Sequence, residues 1–144
     1  MWVRRLFAAL RRGNYKPMLA TFGDDAVFRF PGDSSWSGVY RGREEIERWL
    51  RRFADVRMRF EVLEVAVGGP PWNMSIFTRF TDSWTAPDGT IVYENEGVLF
   101  DRARWMKIVY HEASEDTRRT VPLDDALAAQ GDELAIAAVA RRSQ

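Results

Sequence analysis

Arg57-Met58-Arg59-Phe60-Glu61-Val62-Leu63-Glu64-Val65-Ala66-Val67 is where the chain changes its period. Before it, apolar residues recur every third or fourth position. From it onward they alternate, with Met58, Phe60 and Val62 on one face and Leu63, Val65 and Val67 on the other, as in a β-strand. Gly68-Gly69-Pro70-Pro71 ends the run. Asn73–Trp84, Thr90–Phe100 and Trp105–Glu115 read as three more long strands, and Pro87-Asp88-Gly89-Thr90 supplies a hairpin turn between two of them.

Upstream, Val3, Leu6, Phe7 and Leu10 make the apolar stripe of a helix over 2–12, with Gly13 suited to the left-handed position after it. Asn14 caps a second short helix that runs to about Phe22, with Pro17 in its first turn. Gly23-Asp24-Asp25 reads as a turn and carries no catalytic role. Ala26–Phe30 reads as a strand, and residues 32–38 as a loop bearing Trp36. Gly42–Phe53 is a helix with Ile46, Trp49, Leu50 and Phe53 as its stripe. Glu44, Glu45 and Glu47 stand in its early turns, where the dipole favours anions. In the tail, Pro122 starts a helix, Gly131 breaks it and Asp132 caps Glu133–Arg142. Helices first and an antiparallel meander afterwards imply an α+β fold and argue against parallel βαβ units.

The chain has 144 residues, enough for one domain with a sizeable core, and no Cys, so no disulfide framework, thiolate zinc site or cysteine nucleophile. A single His excludes a His-rich metal site. The 21 basic and 21 acidic residues balance, which argues against bulk attraction to nucleic acid or anionic lipid. The balance hides a layout: residues 1–60 carry +6 and residues 61–144 carry −6. Arg48, Arg51 and Arg52 have acids nearby on their helix and read as a solvated face. The longest apolar run, Leu134–Ala140, is far below the roughly 20 residues of a membrane span. A cytoplasmic protein with neither nucleic acid nor membrane as partner is the expectation.

Four stretches carry a family resemblance: Gly23-Asp24-Asp25-Ala26-Val27-Phe28-Arg29-Phe30-Pro31-Gly32, Tyr40-Arg41-Gly42-Arg43-Glu44-Glu45-Ile46, Pro87-Asp88-Gly89, and the strand ending Tyr110 to Thr117. In this order and spacing the chain resembles the NTF2-like superfamily, and within it the SnoaL-like and ketosteroid-isomerase-like group. The resemblance implies a cone: a curved antiparallel sheet wrapped round N-terminal helices, with a mostly apolar pocket at its open end and dimers common. It covers residues 1–117 as the domain and leaves 118–144 as a helical tail over the pocket mouth or a neighbouring subunit.

The chemistry of that group does not transfer with the fold. The isomerases use a Tyr, a base Asp and an oxyanion Asp kept neutral by an apolar site. Those positions fall on Leu6, Phe30 and near Val98, none of which moves a proton. The limonene-epoxide-hydrolase branch uses an Asp-Arg-Asp relay with a Tyr and an Asn. Its Arg falls on Arg79, but its Asp positions fall on Thr81, with Asp82 one residue out of phase, and near Ala113. Its Tyr and Asn fall on Phe28 and Phe30.

If Arg79 faces the cavity, strand alternation turns Phe77, Thr81 and Ser83 the same way, then Glu94, Glu96 and Val98 on the next strand, and Val109, His111, Ala113 and Glu115 on the last. Arg79, Glu96 and His111 then stand on three consecutive strands spaced about 4.8 Å apart. His111 is the candidate general base or acid, Glu96 its orienting charge, and Arg79 the site for an anion or developing oxyanion. The plainer alternative is a structural Arg–Glu pair and a hydrogen-bonded His. Phe28, Phe30, Trp36, Thr81, Val98 and Ala113 are the candidate ligand-binding residues, with Trp36 either a lid or loop packing. Tyr93 and Asn95, of opposite parity, are expected on the convex face, where a homodimer would form. The functional expectation is a pocket for a small, mostly apolar molecule with a polar or anionic group, serving acid–base chemistry without metal or organic cofactor. The alternative is a non-enzymatic ligand-binding or dimerisation module.

Overall fold

A computed structural model describes residues 2–144. Two helices open the chain: α1 (Trp2–Arg11) and the short α2 (Lys16–Ala20). Gly13 at φ 87° makes the reversal between them. Strand β1 (Phe22–Phe30) then runs straight through Asp24-Asp25, so the expected turn is extended backbone. Its pairing slips between Phe22 and Val27, which accommodates the pair as an irregularity inside a strand. A short β2 (Gly38–Arg41), absent from the sequence reading, folds back on β1 before α3 (Gly42–Asp55).

Four long strands follow: β3 (Arg59–Gly68), β4 (Met74–Thr85), β5 (Ile91–Arg104) and β6 (Lys107–Glu115). The Pro87–Thr90 turn forms as expected, closed by Ala86 N–H on Thr90 O and Gly89 N–H on Ala86 O. The final hairpin differs. β5 runs four residues further than its apolar alternation suggests, and the reversal falls on Trp105 and Met106, both at positive φ. The sheet order is β2-β1-β6-β5-β4-β3, antiparallel except where β1 lies parallel to β6.

Helices α1, α2 and α3 sit in the hollow of this sheet, and one buried cluster joins all layers through Leu10, Ile46, Phe53, Phe60, Phe80 and Leu99. The α+β cone is therefore present as expected. After a 3-10 turn (Thr117–Arg119), α4 (Thr120–Ala129) and α5 (Glu133–Arg142) add Leu123, Leu127 and Ala135 to that same cluster. Asp132 caps α5 by accepting from Ala135 N–H at 2.9 Å.

Polar bonds fasten these last helices to the loop that carries Trp36. Asp124, with 0% exposure, accepts from Ser35 N–H at 2.9 Å, Ser35 Oγ–H at 2.5 Å and Arg142 Nη1 at 2.9 Å. Arg52 spans Asp132 with two bonds, donates to Ser35 O, and lays its guanidinium 3.9 Å from the centre of the Trp36 ring. Ser35→Ala leaves a buried carboxylate oxygen short of a donor. It is expected to cost about 2 kcal/mol, a fall of roughly 4–8 °C in a thermal melt.

Candidate functional site

The inward faces of the long strands decide what the cone can do. On β4 they are Ile76, Thr78, Phe80, Asp82 and Trp84, and on β5 Tyr93, Asn95, Gly97, Leu99 and Asp101. On β6 they are Ile108, His111 and Ala113, with Glu115 half-buried at the strand end. On the last strand His111, Ala113 and Glu115 keep the expected side while Ile108 takes the inward place expected of Val109, and β4 and β5 are turned over. Arg79 points outward to Glu64 at 3.6 Å, both well exposed. Thr81, two residues further along β4, and its Cα partner Glu96 lie on the same outer face, with Val98 opposite Arg79. Thr81, Glu96 and Val98 therefore do not line the cavity between sheet and helices, and Arg79, Glu96 and His111 are not brought together.

Two causes account for the inversion. Arg79 is expected inward only by family analogy, whereas the more apolar set on β4 is the one with Phe80 and Trp84. The β5–β6 ladder also slips between Arg102 and Ala103, where Val109 is an extra residue, so parity counted across the hairpin reverses. Tyr93 and Asn95 consequently face the interior, not the convex surface. Trp36 is not a lid: its ring is buried at 2% exposure, packed edge-on against Trp49 and Phe53.

What the inward faces line is a half-open apolar cavity between sheet and helices. Its volume is about 50 Å³, room for on the order of four waters. Phe28, Phe30 and Ala113 line it, together with Trp49 from the α3 stripe and Phe60 and Phe80 from the sheet. Three lining residues are polar: Asp82, His111 and Glu115.

His111 is held from behind. Its Nδ1 lies 2.6 Å from Asp101 Oδ1, directly across the β5–β6 ladder. Because a carboxylate only accepts, this contact fixes the proton on Nδ1 and leaves Nε2 as the basic nitrogen. Phe28 stacks on the imidazole at 4.4 Å, and Phe22 meets it edge-on at 6.0 Å. Asp101, not Glu96, is therefore the carboxylate that orients His111. The sequence reading missed it because residue 101 lay beyond the expected end of the strand.

Asp82 and Glu115 converge on one phenol. Tyr93 Oη lies 3.3 Å from Asp82 Oδ2 and 3.0 Å from Glu115 Oε2, while Asn95 Nδ2 donates to the same oxygen at 3.2 Å. Tyr93 has one proton for two carboxyls, so the second carboxyl needs a proton of its own to bond the phenol oxygen. Burial pushes Asp82 up from 3.8 to about 7. Burial, reinforced by the charge of Asp82, pushes Glu115 up to about 8. Tyr93 is raised as well, by burial and by both carboxylates. The other oxygens, Asp82 Oδ1 and Glu115 Oε1, are buried without any hydrogen-bond partner. Gly97, the Cα partner of Glu115, permits this convergence: a Cβ there would overlap Ser114 O and crowd Glu115 Cβ and Phe80.

The fold recurs among solved structures. An NTF2-like protein of unknown function from Burkholderia pseudomallei superposes with a TM-score of 0.71 at 22% identity, covering 85% of this chain and 93% of its own. An NTF2-like protein from Burkholderia xenovorans gives a TM-score of 0.63 at 20% identity, covering 87% and 92%. No curated protein sequence matches the chain. The SnoaL-like domain model matches residues 3–111, every element from α1 to the first half of β6, and the chain belongs to the SnoaL-like domain family.

Proposed function

We propose that the cone binds a small, mostly apolar molecule and works on it by proton transfer, with His111 as the base and the Asp82–Glu115 pair as the acid. The observation that carries this reading is the pairing of a half-open aromatic cavity with two buried, unpartnered carboxyl oxygens, a kind of buried group that folded proteins rarely leave unsatisfied. A proton leaving the ligand goes to His111 Nε2, and the protonated carboxyl supplies one to the group that gains electron density. This suits isomerisation, cyclisation, dehydration or hydrolysis, none of which changes oxidation state overall. Asp101 acts as a positioning residue through His111.

The runner-up is binding without turnover, combined with self-association. It draws on the convex face, where Phe77 is 47% and Val98 38% exposed beside Phe100 and Tyr110. Such an aromatic patch fits a second copy of the chain.

Native mass spectrometry tests both readings. The expected spectrum is a dimer carrying a small organic adduct that denaturation releases. His111→Ala is expected to retain the dimer while lowering turnover of the released compound by roughly a hundredfold or more. Undiminished turnover in that variant would remove His111 from the chemistry, and a purely monomeric spectrum would remove the second copy.

A further inference from the structure

The cavity has an unusual charge inventory for an apolar site. Its lining holds two carboxyls and one imidazole, and no Lys or Arg. The helices α1, α2 and α3 contribute only apolar and aromatic side chains to it. Around the acid pair stand Tyr93 and Asn95 on β5, His111 with its partner Asp101, and Asp116, whose charge adds to the burden on Glu115. Arg79, the one cation expected inside, faces solvent. A carboxylate or phosphate entering this space would find no Lys or Arg in its lining to offset its charge.

The unpartnered atoms sharpen the point. Asp82 is only 8% exposed, and its Oδ1 and Glu115 Oε1 have no donor. Ionised carboxyl oxygens only accept, so what they lack is N–H or O–H groups. An ammonium brings three donors, no acceptor and a compensating charge. The faces of Phe30, Phe60, Phe80 and Trp49 in the same lining attract a desolvated cation further.

We infer that the ligand is an apolar amine whose protonated nitrogen seats on the Asp82–Glu115 pair. This rests on the reading of the cavity as a small-molecule site and names the class of molecule it takes. The empty pair keeps protons at neutral pH, because burial raises both carboxyls. An arriving ammonium displaces one of them, so binding strengthens as pH rises, until the amine itself deprotonates near pH 10. A neutral carbonyl held by a protonated carboxyl has the opposite sign, since its donor is lost as pH rises.

Three probes of one size that match the cavity separate the cases: isopropylamine, acetone and acetate, titrated calorimetrically at about pH 6 and about pH 8.5. Two buffers of different ionisation enthalpy report the proton released. Isopropylamine is expected to bind best, at least tenfold tighter at the higher pH, with proton release at the lower. Glu115→Gln and Asp82→Asn, checked for folding by circular dichroism, are each expected to weaken isopropylamine at least tenfold while leaving acetone within about twofold. Acetone binding best, with affinity falling as pH rises, overturns the amine while leaving the small-molecule site standing. Acetate binding best does the same. If none of the three binds at millimolar concentration, the small-molecule reading falls and takes the amine with it.

Discussion

Gly97→Ala is expected to destabilise the protein by about 3–4 kcal/mol, or to prevent it from folding. The added methyl has no flexible neighbour to push aside: the nearest atom is a backbone oxygen, Ser114 O, on the adjacent strand. Relief requires β5 and β6 to separate where they are tied by a continuous ladder from Gly97–Glu115 to Asp101–His111. For a domain of this size that corresponds to a fall of roughly 6–16 °C in melting temperature. Gly68→Ala is the matched control. A Cβ there meets nothing within 4 Å, so its melting temperature is expected to move by no more than about 2 °C. Equal losses in the two variants would mean that the close approach to Ser114 O is not the cause, since the unfolded-chain entropy favours alanine at both positions. The Gly97 variant also separates Glu115 from Tyr93, so the acid pair loses its geometry with both of its own side chains unchanged.

The second large effect is on the pH dependence of stability. Asp82 and Glu115 ionise at about 7 and about 8 in the folded chain, against ordinary values of 3.8 and 4.5. Between those limits the native state holds protons that the unfolded chain has released, so stability falls as pH rises. The contribution is complete below about pH 4 and is lost by about pH 8 or 9. The melting temperature is expected to drop by roughly 5–10 °C across that span. Asp82→Asn keeps the shape and removes one titration, so its profile is expected to be flatter and to lie above the parent at about pH 8. Asp132 works in the other direction but outside this window. Partial burial opposes its ionisation, yet bonds from Arg52 and Ala135 N–H more than offset that and hold it below its ordinary value. Its contribution is lost only in acid. A parent profile that is level from about pH 5 to 8.5 would show that the carboxyl pair is hydrated and ordinary.

How much of this was legible beforehand differs between fold and site. Helix stripes, the switch to alternation at Arg57 and the turn at Pro87–Thr90 are local signals, and they gave the α+β cone. A local signal for the site also existed. Glu94 and Glu96 alternate with Tyr93, Asn95 and Gly97, and burying two unpaired carboxylates is costlier than burying an amide and a phenol. Anchoring the parity on Arg79 overrode that signal. The Asp101–His111 contact was less accessible, because it needs the true end of β5 and the extra residue at Val109, neither of which leaves a compositional mark. Trp36 misled for a further reason: Gly, Ser and Asp around it describe a loop, but what buries its ring is Trp49, Phe53 and Arg52, with the loop itself bonded to Asp124, residues distant in sequence.

The parallel contact between β1 and β6 has a consequence for how the chain reaches its native state. Phe22 must find Ile108, and Phe28 must find His111, across most of the polypeptide. The β3–β6 meander closes through successive neighbours, whereas β1 has only the short β2 beside it until the far strand is available. Loop-closure entropy therefore falls most heavily on that one seam, and topologies dominated by such distant pairings fold in milliseconds to seconds, not microseconds. On the ribosome, the seam cannot form until almost the whole sequence has emerged. The His111 imidazole thus gains its stacking partner Phe28 only when that seam closes.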